Sequence, residues 1–230
     1  MIQIHNLQFA YQAEGFRLRV DELAVKQGEQ VAIVGPSGCG KTTLLHLMAG
    51  ITLPNSGQIL SNQTELTALS DAARRNFRIA NIGLVLQDFA LIDYLNVIDN
   101  ILLPYRINRS LKLDASVIKT AEQLATDLGI DRFLNQKPAT LSQGERQRVA
   151  VCRALITSPT LILADEPTAN LDPVTSSWVL DVLQKYIDEQ QATLIVVSHD
   201  QDVIARLNRK VDVSAFSERL EPAGQGGAIE

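Results

Sequence analysis

Residues 35 to 43 read GPSGCGKTT, the spacing G-x-x-x-x-G-K-[ST], and the chemistry such a run performs is phosphate binding. Gly35, Gly38 and Gly40 let successive backbone N–H groups curl around anionic oxygens, with Pro36, Ser37, Cys39 and Thr43 completing the loop. Lys41 supplies a mobile positive charge to the β- and γ-phosphates of a nucleotide, and the Thr42 hydroxyl is a ligand for Mg²⁺. A chance glycine-rich turn is the competing reading, and the flanking strand and helix patterns count against it. Further along, LILADEP, residues 161 to 167, offers carboxylates at a strand end. Asp165 suits the metal shell and Glu166 stands beside it. Adjacent residues on an extended strand point to opposite sides, so both reach one ligand only if the chain turns after Asp165. Alone, the pair reads as an acidic cap before Pro167; beside a phosphate loop it reads as metal and water chemistry.

Two more polar residues close apolar runs: His199 ends TLIVVSH and Gln87 ends IGLVLQ. Each reads either as an ordinary polar terminator or as a group near a nucleotide, since ligands gather at the strand ends of open parallel sheets. In the second reading Gln87 reaches Mg²⁺ or the attacking water. A further anion site is signalled by LSQGE, residues 141 to 145. Ser142 three residues before Glu145 forms a capping box, with Ser142 accepting from the backbone N–H of Glu145 while Glu145 reaches back. Gly144 admits a close approach to the backbone, and a helix N-terminus attracts anions. Ser142, Gln143, Gly144 and Glu145 are therefore candidate phosphate contacts.

The elements that must position these groups are legible as alternating patterns. Short apolar runs at 31–35, 82–87, 161–165 and 193–199 are typical of strands buried on both faces, which predicts an α/β layer with a mostly parallel sheet. From 88 to 154 no comparable run occurs, and Val117, Ile118, Ala121, Leu124, Ala125 and Leu128 fall on one helical stripe. This predicts a helical subdomain at 88–154 inserted into an α/β core at 1–87 and 155–220, with a fraying polar tail at 221–230. Leu7, Phe9 and Tyr11 share one face of an N-terminal strand by period two.

Taken in order, the phosphate loop, Gln87, LSQGE, LADEPTANLD and SHD resemble the ATP-binding cassette (ABC) ATPases over nearly the whole chain. The resemblance implies a P-loop NTPase core with an added N-terminal antiparallel β region. It implies that Tyr11 stacks on adenine, although the period-two pattern equally makes Tyr11 a core residue. It implies that Gln87 is the Q-loop residue, that Asp172 lies in the D-loop, and that His199 contacts the γ-phosphate. In this family two chains face head to tail around two Mg–ATP, and the signature serine, here Ser142, serves the nucleotide held by the opposite chain. Glu166 then polarises the attacking water, and Lys41, Ser142, His199 and Mg²⁺ stabilise the developing charge. Two departures stand out. Gln143 replaces the common glycine and narrows the approach to the backbone; Glu145 replaces the usual glutamine, which suits the helix dipole but brings negative charge towards an anion.

Within the family, ADEPTANLD and the stretch from Gly83 to Pro104 are similar to the bacterial lipoprotein-release and macrolide-exporter type. This implies a peripheral subunit at the cytoplasmic face of a membrane, driving a separate permease. The surplus of apolar residues in Phe89, Leu91, Ile92, Tyr94 and Leu95 marks 88–105 as the docking stretch, or else as filling of the joint between subdomains. A non-transport cassette, acting as a mechanical or assembly module, is the rival reading.

The bulk numbers agree. The chain has 230 residues, 46% hydrophobic, and a net charge of −5, which argues against the broad basic face of a nucleic-acid binder. Two distant cysteines resemble reduced usage rather than a disulfide framework, with Cys152 a small core residue. No secretory leader pattern opens the sequence, and no apolar run approaches the roughly 20 residues that cross a bilayer.

Overall fold

The apolar runs become a five-stranded, wholly parallel sheet in the order β6-β7-β8-β3-β9. Its strands are β3 (Gln30–Val34), β6 (Ile82–Val85), β7 (Leu161–Asp165), β8 (Thr193–Val197) and β9 (Arg209–Asp212). A second, antiparallel sheet is built from β1 (Ile2–Ala10), β2 (Phe16–Val25), β4 (Ser56–Ser61), β5 (Thr64–Glu65) and β10 (Ser217–Arg219), in the order β10-β2-β1-β4-β5. The computed structural model describes residues 1–11, 16–169 and 171–219; the tail expected at 221–230 lies outside them.

Every residue of β7 and β8 is buried, and period two sorts their side chains into two cores. Leu161, Leu163, Ile195 and Val197 face the layer shared with the antiparallel sheet and helix α1 (Lys41–Met48). Ile162, Ala164, Leu194 and Val196 face the opposite layer. That layer holds α3 (Val97–Ile101), α5 (Ala115–Asp127), α6 (Gln143–Leu155) and α7 (Pro173–Gln190). The central sheet is thus covered on both faces, as parallel sheets are. Among the described residues no strand lies between β6 and β7.

Several details differ from the sequence reading. The stripe on α5 buries Ala121, Ala125 and Leu128 with Val117 and Leu124 beside them, but Ile118 is 40% exposed, because it falls at the edge of the stripe. The stretch after Gln87 is not helical until α3: residues 88–96 are a turn-rich loop. In that loop Leu91 is partly buried against the second core, whereas Tyr94 is 76% exposed. The loop is held by Asn100, fully buried, whose amide accepts from Ile92 N (2.8 Å) and donates to Ile92, Leu95 and Asn96 carbonyls (3.1, 3.3 and 3.0 Å).

The remaining helices are α2 (Asp71–Asn81), α4 (Leu103–Ile107) and α8 (Gln201–Ala205). From α2, Arg74 donates to Gly50 O (3.0 Å) and Arg78 to the same oxygen (2.9 Å). These cations sit just past the C-terminal end of α1, where the helix carries partial negative charge. They anchor the helix whose other end forms the phosphate loop.

Candidate active site

All the strand-borne candidates converge at one edge, the carboxyl ends of the parallel strands, where open α/β sheets bind ligands. A cleft of about 1060 Å³ is lined there by Gly35, Pro36, Ser37, Gly38, Gly40, Lys41, Thr42, Thr43, Tyr11, Gln87, Asp165, Glu166 and His199, together with Phe16 and Val197. The phosphate loop leaves β3 and enters α1 through Gly40, the N-cap, in a left-handed conformation (φ 96°). A Cβ there would lie 2.4 Å from the Phe16 ring, so only glycine lets the aromatic seat against the loop. The Lys41 ammonium donates to Gly35 O (2.8 Å) and Pro36 O (3.0 Å), spanning the loop's mouth. Cys39 is the one loop residue absent from the lining; its side chain is buried, 6% exposed, packed on the reverse side towards Gly35.

Tyr11 does not join the core. Leu7 and Phe9 are buried on the shared face of β1, but Tyr11 lies just past the strand end at 49% exposure. Its ring stands edge-on to Phe9 (4.8 Å between centroids) and its hydroxyl lies 3.3 Å from Thr43 Oγ1. It therefore presents an aromatic wall to the cleft, and Phe16 is a second one (6.2 Å away). Phe16 was not singled out in the sequence, where a lone aromatic opening a strand carries no signal of its own.

Asp165 closes β7 and is 4% exposed. Its Oδ1 has no hydrogen-bond partner among the described residues. Burial holds this carboxyl above the usual range, with the charge of Glu166 adding to the effect and a hydrogen bond from Thr42 opposing it. The turn required after Asp165 is present: Glu166 adopts a left-handed backbone (φ 47°), and its N–H donates to Val197 O at 2.9 Å. A non-glycine residue in that region stores strain, a common property of reacting sites. The turn brings the Glu166 carboxylate to 2.7 Å from His199 Nδ1 and 3.4 Å from Ser198 Oγ. That contact raises the His199 pKa, by the hydrogen bond first and the carboxylate charge second. Gln87 and His199 both lie two residues beyond their strands rather than at the last position, which gives each side chain the reach of a turn.

The remaining candidates do not line this cleft. The capping box on α6 is formed: Glu145 N donates to Ser142 Oγ (3.3 Å), while Ser142 N and Oγ donate to Glu145 Oε2 (2.8 and 2.9 Å). The Glu145 pKa is lowered; burial opposes the fall, and the two Ser142 hydrogen bonds with Arg148 and Arg132 drive it. The close approach at Gly144 is used within the chain, since a Cβ there would meet the Thr175 methyl at 3.3 Å. Gln143 opens the helix beside it. Asp172 caps α7, accepting from Val174 N and Thr175 N (both 3.0 Å). Its pKa is lowered chiefly by the Thr175 hydroxyl. Cys152 is fully buried, and burial pushes its thiol up.

A phosphate loop, a buried carboxylate and a turned glutamate at the carboxyl edge of a parallel sheet define a nucleotide-hydrolysing P-loop protein. The chain matches the ABC transporter family over residues 18–169. The lipoprotein-releasing system ATP-binding protein LolD of Hydrogenovibrio crunogenus is 37% identical over 217 residues, covering 93% of this chain and 94% of its own. LolD of Syntrophotalea carbinolica is 37% identical over 219 residues, covering 93% and 95%. The dimeric ATP-binding cassette MJ0796 in a post-hydrolysis state, bound to ADP and Pi, superposes with a TM-score of 0.86 at 31% identity, over 96% of this chain and 100% of that one. The chain belongs to the ABC transporter family and is an ATP-hydrolysing cassette subunit of a transport system.

Proposed function

We propose that the cleft binds Mg–ATP and that two copies of the chain close around two nucleotides to drive a separate membrane permease. The observation that carries this reading is the convergence of the phosphate loop, Asp165, Glu166, Gln87, His199 and Tyr11 on one cleft. Adenine stacks on Tyr11 with Phe16 beside it. The loop N–H groups and Lys41 hold the β- and γ-phosphates, Lys41 leaving its two backbone carbonyls to do so. The orphaned, buried Asp165 Oδ1 fits a cation, and Asp165, the Thr42 hydroxyl and Gln87 would hold Mg²⁺. When bound, that ion neutralises charge developing on the phosphate oxygens.

Glu166, oriented by His199, accepts a proton from the attacking water. The water oxygen bonds to the γ-phosphorus as the bond to the bridging oxygen breaks, leaving ADP and phosphate. His199 donates to the γ-phosphate. Ser142 and the free first-turn N–H groups of α6 serve the γ-phosphate held by the other chain, which is consistent with their standing outside their own cleft. Asp172 borders the same junction. The loop around Tyr94, within 88–105, receives the permease, and the chain works as a peripheral subunit at the cytoplasmic face. The name of the LolD relatives favours a lipoprotein-releasing system as the one served.

Mixing two inactive variants tests the shared site. Lys41→Ala loses ATP binding; Ser142→Arg keeps it and loses turnover. Because the mixed dimer contains one intact composite site, hydrolysis returns on mixing. Two folded variants that stay inactive together overturn the arrangement in which each chain completes the other's site.

A further inference from the structure

Directly after Gln87 the chain reverses through two consecutive non-glycine residues in the left-handed region, Phe89 (φ 61°) and Ala90 (φ 46°). Such conformations cost on the order of 1–3 kcal/mol each and persist only where the surroundings over-determine them. The turn's own hydrogen bonds, Phe89 N to Leu86 O (3.0 Å) and Ala90 N to Asp88 O (2.7 Å), close it locally. What fixes it to the rest of the molecule is Arg153 on α6. Its guanidinium donates from Nη2 to Phe89 O and from Nη1 to Ala90 O, both at 2.5 Å. The planar fork of an arginine matches two adjacent acceptors in a way a lysine does not.

Arg153 has no other assigned partner: among the described residues no carboxylate lies within ion-pair distance of it. Burial lowers its pKa, with Asp88 acting in the opposite sense. A partly buried cation held by two carbonyls and no carboxylate is an expensive way to tie down a loop. The same helix begins at Ser142, eleven residues earlier and thus about 16 Å along the axis. One rigid rod therefore joins the anion-binding end of α6 to the turn that aims Gln87.

We propose that Arg153 is a positioning residue for ATP hydrolysis: it locks the turn following Gln87 to α6, so that Gln87 is held over the nucleotide and moves with the Ser142 end of the helix. This rests on the reading that Gln87 acts at the metal or the attacking water. Arg153 does not line the cleft, so its proposed effect passes through Gln87.

A double-mutant cycle on the full chain tests it, with steady-state ATP hydrolysis and a thermal melt for each variant. Arg153→Met is expected to lower kcat about 10- to 100-fold, the scale of a misplaced catalytic group, with KM for ATP unchanged. Gln87→Ala is expected to be similarly slow, and the double variant no slower than Gln87→Ala, because both remove one function. Arg153→Lys, which reaches one carbonyl at a time, falls between parent and Arg153→Met. If Gln87→Ala hydrolyses at the parent rate, the role of Gln87 falls and the proposal with it. If Gln87→Ala is slow but the two effects multiply, Gln87 keeps its role and the proposal about Arg153 is overturned. Should Arg153→Met not fold, Arg153→Lys carries the same cycle. Loss of folding in both, or parent kcat in a folded Arg153→Lys, overturns the proposal and makes Arg153 a purely structural residue.

Discussion

In the proposed reaction Glu166 is the group that takes the proton, and the neighbouring residues prepare it. Its left-handed backbone turns it away from the side that strand alternation would assign, and His199 holds its Oε1 at 2.7 Å. Replacing the carboxylate with an amide keeps the shape and removes the proton acceptor. Glu166→Gln should bind ATP like the parent and hydrolyse it about 10²- to 10⁴-fold more slowly, the usual worth of a positioned general base. Since the bridging γ-phosphate is then never removed, the variant should elute as an ATP-bound dimer from a sizing column. Normal turnover would take Glu166 out of the reaction, and a monomer at high protein concentration would count against closure around ATP. The groups with a fixed local spacing, Gly35 to Thr43, Asp165 with Glu166, and the Ser142–Glu145 box, were readable because each is complete within a few residues. Phe16 and Arg153 were not. Their partners, Gly40 and the carbonyls of Phe89 and Ala90, come from distant segments, and no local pattern announces such a meeting.

At the scale of elements, the placement of Tyr11 depends on a change of phase that period-two reading passes over. In β1 the buried residues are Ile2 and Ile4, then Leu7 and Phe9. In β2 the change occurs at the same level, with Val25 and Leu23 followed by Val20 and Leu18. The pairing of β1 with β4 shifts register between His5 and Gln8, and Asn6 there has φ 47°. This is a β-bulge, and it carries the odd-numbered face of β1 round so that Leu7, Phe9 and then Tyr11 follow one another towards the cleft. Gly57 makes it possible. It has φ 92°, and a Cβ on it would lie 2.4 Å from Asn6 O and 2.6 Å from Leu7 Cα. Gly57→Ala should therefore destabilise the chain by about 1–3 kcal/mol, lowering the melting temperature by roughly 2–4 °C per kcal/mol. It should weaken ATP binding as well, because Tyr11 is displaced. An unchanged melt together with unchanged affinity would mean that the bulge neither strains the alanine nor aims Tyr11. The buried parallel strands were legible because unbroken apolar runs need no partner to be recognised. The bulge was not, because a phase change is defined only against the strand opposite.

Across the whole molecule, the loop after Gln87 links the cleft to an exposed aromatic, Tyr94. Arg153 holds its first turn and Asn100 its second half, so it is a shaped feature rather than slack chain. Its apolar residues divide by burial. Leu91 packs against the second core, whereas Tyr94 is 76% exposed, and a large exposed aromatic on a fixed loop is the form that protein interfaces use for anchors. The two residues should therefore respond differently to the same change. Leu91→Asp places a charge against the core and should lower the melting temperature and, with it, every activity. Tyr94→Asp touches little in its own chain and should change stability by no more than about 0.5 kcal/mol. Its ATP affinity and basal hydrolysis should match the parent, while permease capture from detergent-solubilised membranes and transport are lost. The measurement is a pull-down beside a thermal melt for each variant. A Tyr94→Asp protein that folds, hydrolyses ATP and still captures the permease would move the docking surface away from this loop, and one that fails to fold would show that Tyr94 supports the core despite its exposure.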